Sequence, residues 1–250
     1  MNQTPSIAEH LSALAGRLAE LARSRAVATP DARVRLARPL EIPALAQAER
    51  LLALDARYVG GAEPKEPYAP SLAAFQDQIS GCLRCPLGGR RKHIVFGEGD
   101  PASPLAFVAA GPGGDEDLAG RPLVGAAGGL LDRVVAAMGY KRSEVYLCTV
   151  VKCRPAGREP EAADVASCRP YLEHQLRLLR PKAVIALGET AARLLLDSGE
   201  PLAALRGRWG SFLGMRVMPT FHPSDLLRDP GLKRHVWDDM KLVMKVLKEA

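Results

Sequence analysis

Four of the five cysteines have a spacing that suits a metal site. Cys82 and Cys85 form a C-x-x-C pair, and Cys153 and Cys168 follow much later in the chain. A C-x-x-C pair places two thiolates on one tight turn, and two distant cysteines can complete a tetrahedral set. Such sets select zinc or an iron–sulfur cluster, and spacing alone does not decide between them. The fifth, Cys148, falls inside a predicted strand and is interpreted as a core residue.

A glycine-rich segment follows a short apolar run. Residues 111–114 read Gly-Pro-Gly-Gly, directly after the apolar residues 105–110. A loop of this kind between a strand and a helix exposes backbone N–H groups, which can hold an anion. Taken alone, the segment fits two interpretations equally well: a loop that binds a nucleotide, or a tight turn without a ligand.

A histidine follows the last apolar run of the chain. Residues 220–228 read Thr-Phe-His-Pro-Ser-Asp-Leu-Leu-Arg, which places His222 just after a predicted strand and before a proline. Loops at the carboxyl ends of parallel strands commonly carry function. Taken alone, however, a hydrogen-bonded loop histidine without a catalytic role is the simpler interpretation of His222.

These candidates are separated by alternating strands and helices. Apolar runs predict strands over 105–110, 145–151, 182–187 and 215–220. Helices are predicted over 71–81, 129–138, 161–180 (one helix, or two broken near Pro170), from about 189, and over 231–248. The alternation predicts an α/β fold with a parallel sheet between helices. Its functional loops are then expected at 111–125, 149–155 and 221–228.

The first seventy residues have a different pattern. Leucine spacing predicts an amphipathic helix over 6–25, a second helix is predicted over 43–57, and the Gly- and Pro-containing stretch 60–67 is typical of a linker. We therefore predict a helical or flexible extension over 1–70 and one folded domain over 71–250. The extension either has no chemistry of its own or docks a partner.

Composition and charge narrow the function classes. Hydrophobic residues make up 47% and charged residues 25%, as in ordinary globular proteins, and no apolar run is long enough to span a bilayer. We expect a soluble cytoplasmic monomer, associated with the nucleoid if it acts on DNA. Its formal net charge of +6 permits a polyanionic partner without requiring one.

In combination, these segments resemble the family 4 uracil-DNA glycosylases, the iron–sulfur class of that superfamily. The resemblance covers about 71–250 and omits the extension. The matching segments are Cys-Leu-Arg-Cys-Pro-Leu (82–87), Val-Phe-Gly-Glu-Gly (95–99), Gly-Pro-Gly (111–113), Asp-Glu-Asp (115–117), Gly-Arg-Pro (120–122), Leu-Leu-Asp (130–132), Val-Lys-Cys-Arg-Pro (151–155), Cys-Arg-Pro-Tyr-Leu (168–172) and Pro-Thr-Phe-His-Pro-Ser (219–224).

The resemblance implies a three-layer sandwich with a four-stranded parallel sheet and a pocket for an extruded uracil. It implies DNA as the partner, base-excision repair as the process, and hydrolysis of the N-glycosidic bond of uracil as the reaction. It also implies a [4Fe-4S] cluster, chiefly structural, on Cys82, Cys85, Cys153 and Cys168, with zinc as the alternative.

The resemblance also implies roles for individual residues. His222 would donate to uracil O2 as negative charge builds there, and backbone N–H groups near Gly111 would assist. The base pocket would comprise Ala110, Pro112, Gly113, Leu123 and Thr149. Contacts with DNA would come from Ser224, Leu226 as an apolar wedge, Arg228 and Arg208. Further phosphate contacts are expected from Arg206, Lys233, Arg234 and the basic cluster 90–93.

Three pocket positions depart from the family pattern. Ala110 stands where the family has a glutamate that positions water, Leu123 where it has an aromatic ring, and Thr149 where it has an asparagine that reads uracil. Three interpretations follow: a uracil-DNA glycosylase with a variant pocket, which is favoured; a glycosylase for another deaminated or damaged base; and a DNA-binding member of the superfamily that no longer cleaves.

Overall fold

A computed structural model describes residues 68–155 and 157–249, which form one sheet with helices on both faces. The strands of these residues are β1 (Gly97–Gly99), β2 (Leu105–Ala109), β3 (Tyr146–Thr149), β4 (Ala183–Leu187), β5 (Gly210–Phe212) and β6 (Met215–Thr220). The α-helices are α1 (Leu72–Ile79), α2 (Gly114–Ala119), α3 (Gly125–Ala137), α4 (Ala162–Leu179), α5 (Glu189–Leu196), α6 (Leu202–Leu205), α7 (Pro223–Arg228) and α8 (Lys233–Lys248). Short 3₁₀ helices cover Pro86–Gly89, Arg142–Glu144 and Pro230–Leu232.

The sheet has the strand order β1-β3-β2-β4-β6-β5. The four central strands are parallel, as the sequence predicts, and β1 and β5 pair antiparallel at the two edges. The expectation of four strands is therefore wrong in number, because the described residues form six. Both additional strands are three residues long and contain glycine, so they are too short to show a period-2 pattern.

The core lies in two layers, one on each face of the sheet. Every residue of β2 and β4 is buried, as expected for strands covered on both faces. Successive side chains of β2 enter opposite layers: Ala106 and Val108 pack with α1, α4 and α5, whereas Leu105 and Phe107 pack with α3 and α8. These two layers hold the parallel strands rigidly between helices.

The helices agree with the predicted positions, with differences at their ends. Helix α4 is a single helix that continues through Pro170, which settles the choice between one helix and two. Helix α3 begins at Gly125, four residues before the predicted start at 129, because glycines in its first turn weaken the helical pattern in the sequence. The last helix begins at Lys233 after a 3₁₀ turn.

The predicted extension lies almost entirely outside the described residues, as do the helices predicted over 6–25 and 43–57. The helix predicted over 71–81 is α1, whose N-terminus is capped by Ser71 Oγ accepting from the Ala74 N–H at 3.3 Å. Phe75 and Ile79 on this helix are buried in the core. Within the described ranges, no helix has the length and apolarity required to cross a bilayer.

Candidate active site

A cleft of about 1080 Å³ opens at the carboxyl edge of the parallel strands. The last residues of these strands, Ala109, Thr149, Leu187 and Thr220, pair side by side in register. The segments that follow therefore emerge together, and parts of 110–116, 154–160, 188–190 and 221–229 line the cleft. The sheet thus brings the three loops that the sequence singles out to one cavity.

Most of the predicted site residues lie in this cleft. Those that line it are Ala110, Gly111, Pro112, Gly113, Leu123, Thr149, His222, Ser224 and Arg228. Two predicted DNA contacts, Leu226 and Arg208, do not line it. The candidate pocket is therefore assembled from residues more than a hundred positions apart in the chain.

The ring of His222 is fixed in orientation by the turn that follows it. Nδ1 accepts a hydrogen bond from the Ser224 backbone N–H at 3.2 Å and lies 2.7 Å from Ser224 Oγ. The His222 backbone N–H donates to Asp225 Oδ2 at 3.0 Å. Because a backbone N–H can only donate, Nδ1 must be unprotonated, so the neutral ring carries its proton on Nε2. The imidazole is thereby prepared as a hydrogen-bond donor within the cleft.

Burial lowers the pKa of His222 below its usual value, although the carboxylates of Asp225, Glu116 and Glu159 act in the opposite direction. A lowered pKa keeps the ring neutral at physiological pH. A neutral ring also preserves the hydrogen bond from Ser224, which an imidazolium would lose because both its nitrogens are protonated.

The excision reaction that the resemblance implies is therefore expected to slow on acidification only below the usual histidine pKa of about 6.5. The folded protein holds His222 neutral down to lower pH than the unfolded chain does, so protonation opposes both activity and stability within that acidic window. A pH profile of the single-turnover excision rate measures this acidic decrease. The decrease should be missing from His222→Gln, because glutamine does not titrate. A decrease with a midpoint at or above pH 6.5 would contradict the conclusion that His222 acts as a neutral donor.

Gly188 allows the backbone after β4 to approach His222 closely. Its φ of +86° with ψ of 168° is a conformation that only glycine adopts readily. A Cβ on Gly188 would lie 3.1 Å from His222 Cβ. The glycine is thus required by both the backbone conformation and the position of the histidine.

Gly188→Ala is expected to destabilise the protein by about 1–3 kcal/mol, the cost of forcing an L-residue into this conformation. The displaced His222 should also lower the excision rate. Urea denaturation and single-turnover rates measure the two effects. Gly199→Ala is the matched control, since a Cβ at Gly199 meets nothing within 4 Å. Equal stability of the two variants would show that Gly188 is not constrained.

Glu116 joins the glycine-rich loop to the opposite wall of the cleft. Its Oε2 accepts the Gly113 N–H at 3.0 Å and its Oε1 accepts the Val124 N–H at 3.1 Å. The Gly113 amide is therefore engaged within the protein and is not a free donor to a ligand, contrary to the expectation for the amides of this loop. A glutamate three residues after a helix N-cap is the sequence signal that could have identified this clamp.

Leu123 is held in a left-handed backbone conformation beside the cleft. Its φ is +52° and its side chain is 3% exposed. The carbonyl of Leu123 lies so close to Gly128 that a Cβ there would be 2.0 Å away. Arg142 fixes the preceding residue by donating to the Pro122 carbonyl at 2.7 Å. Leu123 is thus a rigid apolar wall of the cavity.

Thr149 contributes a buried hydroxyl group to the cleft. The residue is 1% exposed, and its Oγ1 is the one buried side-chain oxygen or nitrogen in the described part of the chain that lacks a hydrogen-bond partner. Its carbonyl accepts from Lys152 Nζ at 2.6 Å, and Lys152 Nζ also donates to Gln175 Oε1 at 2.7 Å. Burial lowers the pKa of this lysine. Lys152 and Gln175 form a supporting layer that the sequence pattern did not identify.

The prediction that Leu226 is a wedge for DNA is wrong. Leu226 is 2% exposed and packs in the core with Leu131 and Val236, because α7 turns this residue toward the sheet. The neighbouring Leu227 is 47% exposed. Any apolar contact with a base stack from this helix must therefore come from Leu227.

Several basic residues serve the protein itself. Arg208 lies outside the cleft lining and pairs with Glu200 at 3.0 Å. Arg206 pairs with buried Asp239 at 2.7 Å, so it is not free for a phosphate. By contrast, Arg154 lines the cleft and forms no ion pair within the described ranges, with its guanidinium beside Gly114.

Arg91, from the predicted basic cluster 90–93, braces the C-x-x-C turn. Its guanidinium donates to the carbonyls of Cys82 at 2.6 Å, Gly88 at 2.8 Å and Ser80 at 3.1 Å. It also lies 3.8 Å from Cys153 Sγ. These contacts tie two distant segments of the chain together and leave this arginine little capacity for DNA.

The four candidate ligand cysteines lie near one another, and none forms a disulfide. Arg91 contacts both the Cys82 carbonyl and Cys153 Sγ, and the backbone N–H of Lys152, the residue before Cys153, donates to Cys168 Sγ. Burial raises the pKa of Cys153 to about 11 and that of Cys168 to about 12. Among the described residues, no three His, Cys, Asp or Glu side chains converge closely enough to hold a single metal ion. Cys148 is fully buried in β3, as expected for a core residue.

Hydrogen-bond donors surround the sulfur atoms. The Lys152 backbone N–H donates to Cys168 Sγ at 3.3 Å, and the Tyr171 hydroxyl lies 3.3 Å from Cys82 Sγ. The Lys152 N–H at Cys168 and Arg91 beside Cys153 lower the pKa values of these two thiols and so act against burial, which has the larger effect. Hydrogen-bond donors of this kind are what a set of metal-bound thiolates would use.

Comparison with known proteins identifies the family. Residues 96–241 match the family model described as the uracil DNA glycosylase superfamily. The chain is 38% identical over 178 residues to a type-4 uracil-DNA glycosylase of Thermotoga maritima, covering 69% of this chain and 93% of that protein. It is 37% identical over 180 residues to the type-4 enzyme of Pyrobaculum aerophilum, covering 68% and 92%. These matches confirm the resemblance, and the chain belongs to the type-4 branch of the uracil-DNA glycosylase superfamily.

Proposed function

We propose that this protein excises uracil from DNA by hydrolysing the bond between the base and C1′ of deoxyribose. The observation that carries the proposal is the His222 ring, locked by Ser224 as an Nε2–H donor inside a cleft of the size of a ligand site. The type-4 relatives named as uracil-DNA glycosylases support the same reaction.

The proposed reaction gives negative charge to the leaving base and positive charge to the sugar. A donor placed where the base oxygen becomes an oxyanion stabilises the transition state more than the ground state. His222 Nε2–H fills this role, with the Gly111 amide as a second donor on the facing loop. The C1′–N1 bond breaks with its electron pair leaving on uracil, water adds hydroxide to C1′, and the remaining proton neutralises the base.

Ala110 stands where the family has a glutamate, so this position has no carboxylate that could orient the attacking water. Glu116 binds two backbone amides with its two oxygens, and Asp225 is engaged by the His222 N–H and by Arg228. Neither of these two carboxylates is free to act as a strong base. Asp115 and Glu159 also line the cleft, and Glu159 accepts from the Thr190 hydroxyl at 2.9 Å. We assign the rate chiefly to stabilisation of the departing anion, so that water attacks a sugar that already carries positive charge.

Access to the base requires extrusion of the nucleotide from the helix, at a cost of a few kcal/mol. We propose that Arg154 and Ser224 contact the phosphates around the extruded nucleotide. Arg228 does so as well, because it lines the cleft and its side chain stays 76% exposed beside its partner Asp225. Leu227 supplies the apolar contact assigned from the sequence to Leu226. Phosphate contacts by arginine would make binding weaken as salt is raised.

We further propose that the protein holds a [4Fe-4S] cluster on Cys82, Cys85, Cys153 and Cys168. The set of four free thiols and the donors beside their sulfurs suit this group. A four-iron cluster takes one thiolate on each iron, so its ligands need not converge on one point as the ligands of a zinc ion must. The cluster would connect the C-x-x-C turn to the loop after β3 and to α4. We expect the protein to be a monomer in solution.

The decisive experiment measures strand cleavage, after alkali treatment, of labelled oligonucleotides that carry a single uracil, hypoxanthine or xanthine. Cleavage at uracil, and none in the matched thymine oligonucleotide, is the expected result. Tight binding without cleavage of any substrate would overturn the proposed activity in favour of a DNA-binding role. Cleavage at other deaminated bases alone would identify a different glycosylase.

A further inference from the structure

Six carboxyl side chains of the described residues line the cleft. They belong to Asp115, Glu116, Glu159, Glu189, Asp225 and Asp229. Glu116 and Asp225 each have both oxygens engaged within the protein. Glu189 also uses both, since Oε1 pairs with Arg193 at 2.8 Å and Oε2 accepts the Leu202 N–H at 3.4 Å. These three carboxylates therefore have little capacity to hold a ligand or a water molecule.

The other three carboxylates differ in what surrounds them. Asp229 caps the 3₁₀ helix that follows it. Asp115 is directed toward the first residue of α3, since a Cβ on Gly125 would lie 2.3 Å from its Oδ2. Glu159 accepts the Thr190 hydroxyl at Oε2, 2.9 Å away, and its Oε1 forms no hydrogen bond or ion pair within the described ranges. Glu159 thus has one oxygen fixed in the cleft and one oxygen open.

Contacts on two sides place Glu159 between the glycine-rich loop and the loop of the catalytic histidine. On one side, its partner Thr190 follows two residues after Gly188, the glycine that approaches the histidine closely. On the other side, Pro160 lies against Gly111, where a Cβ would be 3.4 Å from the Pro160 Cγ. The carboxylate therefore lies beside the space enclosed by the two loops that are proposed to hold the leaving base.

The charge of Glu159 acts on the same space. It raises the pKa of His222, although burial has the larger effect and lowers it. Glu159 is an exposed residue, so water reaches its carboxylate. A carboxylate within hydrogen-bond reach of a water molecule can orient that water and accept its proton. A negative charge here also favours the positive charge that develops on the sugar.

We propose that Glu159 is a catalytic residue that holds the attacking water and accepts its proton. As the C1′–N1 bond breaks with its electron pair leaving on uracil, the water oxygen forms a bond to C1′ and one proton of this water passes to Glu159. That proton then goes to the uracil anion, which regenerates the carboxylate. The inference rests on the proposed excision of uracil and supplies the carboxylate that position 110 lacks.

The test measures single-turnover excision of uracil by the full-length protein and its variants. Glu159→Gln keeps the size of the side chain and an oxygen that can accept from Thr190, but it removes the charge. We expect the rate to fall about 10²-fold, the lower end of what a general base contributes. The affinity for uracil-containing DNA should be equal or higher, because a negative charge near a polyanion is lost. The thermal stability should not change, since the side chain is exposed.

Ala110→Glu in the Glu159→Gln background gives a readout that a structural role of Glu159 would not change. Ala110 lines the cleft and precedes Gly111, against which the segment of Glu159 packs. A glutamate at position 110 therefore brings a carboxylate to the same space from the facing loop. The double variant should be about tenfold faster than Glu159→Gln alone.

The matched control is Glu189→Gln, which removes a charge from the same cleft at a carboxylate already paired with Arg193. Its excision rate should equal that of wild type. A rate in Glu159→Gln equal to that of the control, or a double variant no faster than Glu159→Gln, would overturn the inference and leave uracil excision by wild type standing. A wild-type protein that releases no uracil would overturn the proposed function itself.

Discussion

Replacement of His222 by alanine is expected to reduce the rate of uracil excision by about 10²–10³-fold, the usual cost of removing one oxyanion donor. The ring is held by Ser224 with Nε2–H as its free donor, and burial lowers its pKa so that it stays neutral. Alanine leaves the developing charge on uracil without this donor. The effect should appear in single-turnover rates.

The affinity for uracil-containing DNA should change far less than the rate. A donor that acts on charge formed during bond breaking contributes mainly to the transition state, so its loss lowers the rate with little effect on binding. His174→Ala is the matched control, because the His174 ring lies outside both the cleft lining and the predicted phosphate contacts, with Nε2 2.8 Å from the Ala69 carbonyl. An excision rate within about threefold of wild type in His222→Ala would exclude the imidazole as the main donor.

Long apolar runs made the central part of the fold predictable from the sequence. The strands β2, β3 and β4 are buried along their whole length, and β6 is buried from Val217 onward. Strands buried on both faces show as largely apolar segments. The edge strands β1 and β5 have only three residues each, and no local pattern distinguishes them from a turn. The predicted loops met in one cleft because parallel strands share a carboxyl edge.

Side-chain direction within short elements was not predictable in the same way. Leu226 and Leu227 are adjacent leucines on a helix of six residues, which is too short for a periodic pattern to show which one faces the core. The pairing of Arg208 with Glu200 and of Arg206 with Asp239 depends on how distant segments pack. The buried hydroxyl of Thr149 has no hydrogen-bond partner in the described residues, and a sequence cannot show this because it depends on which side chains pack around the residue.

Cys153→Ser is expected to cause the largest loss of stability among the proposed variants. The four cysteines occur on the turn before the 3₁₀ helix at Pro86–Gly89, on the loop after β3 and within α4, so a bound cluster would connect three segments. Losing it would leave buried polar groups and an untied loop beside the cleft, at a cost above about 4 kcal/mol. The purified variant should be colourless, whereas wild type should be brown and contain about four iron atoms per chain.

The matched control is Cys148→Ala, which removes a fully buried thiol from β3 but none from the proposed ligand set. This variant should keep its iron and colour and lose only the stability of one small core group, because Cys148 behaves as a hydrophobic residue. Iron analysis and urea denaturation separate the two cases without an activity measurement. Retention of iron by Cys153→Ser would refute the assignment of Cys153 as a ligand. A colourless wild-type protein that contains one zinc ion would show that the four cysteines bind zinc and not an iron–sulfur cluster.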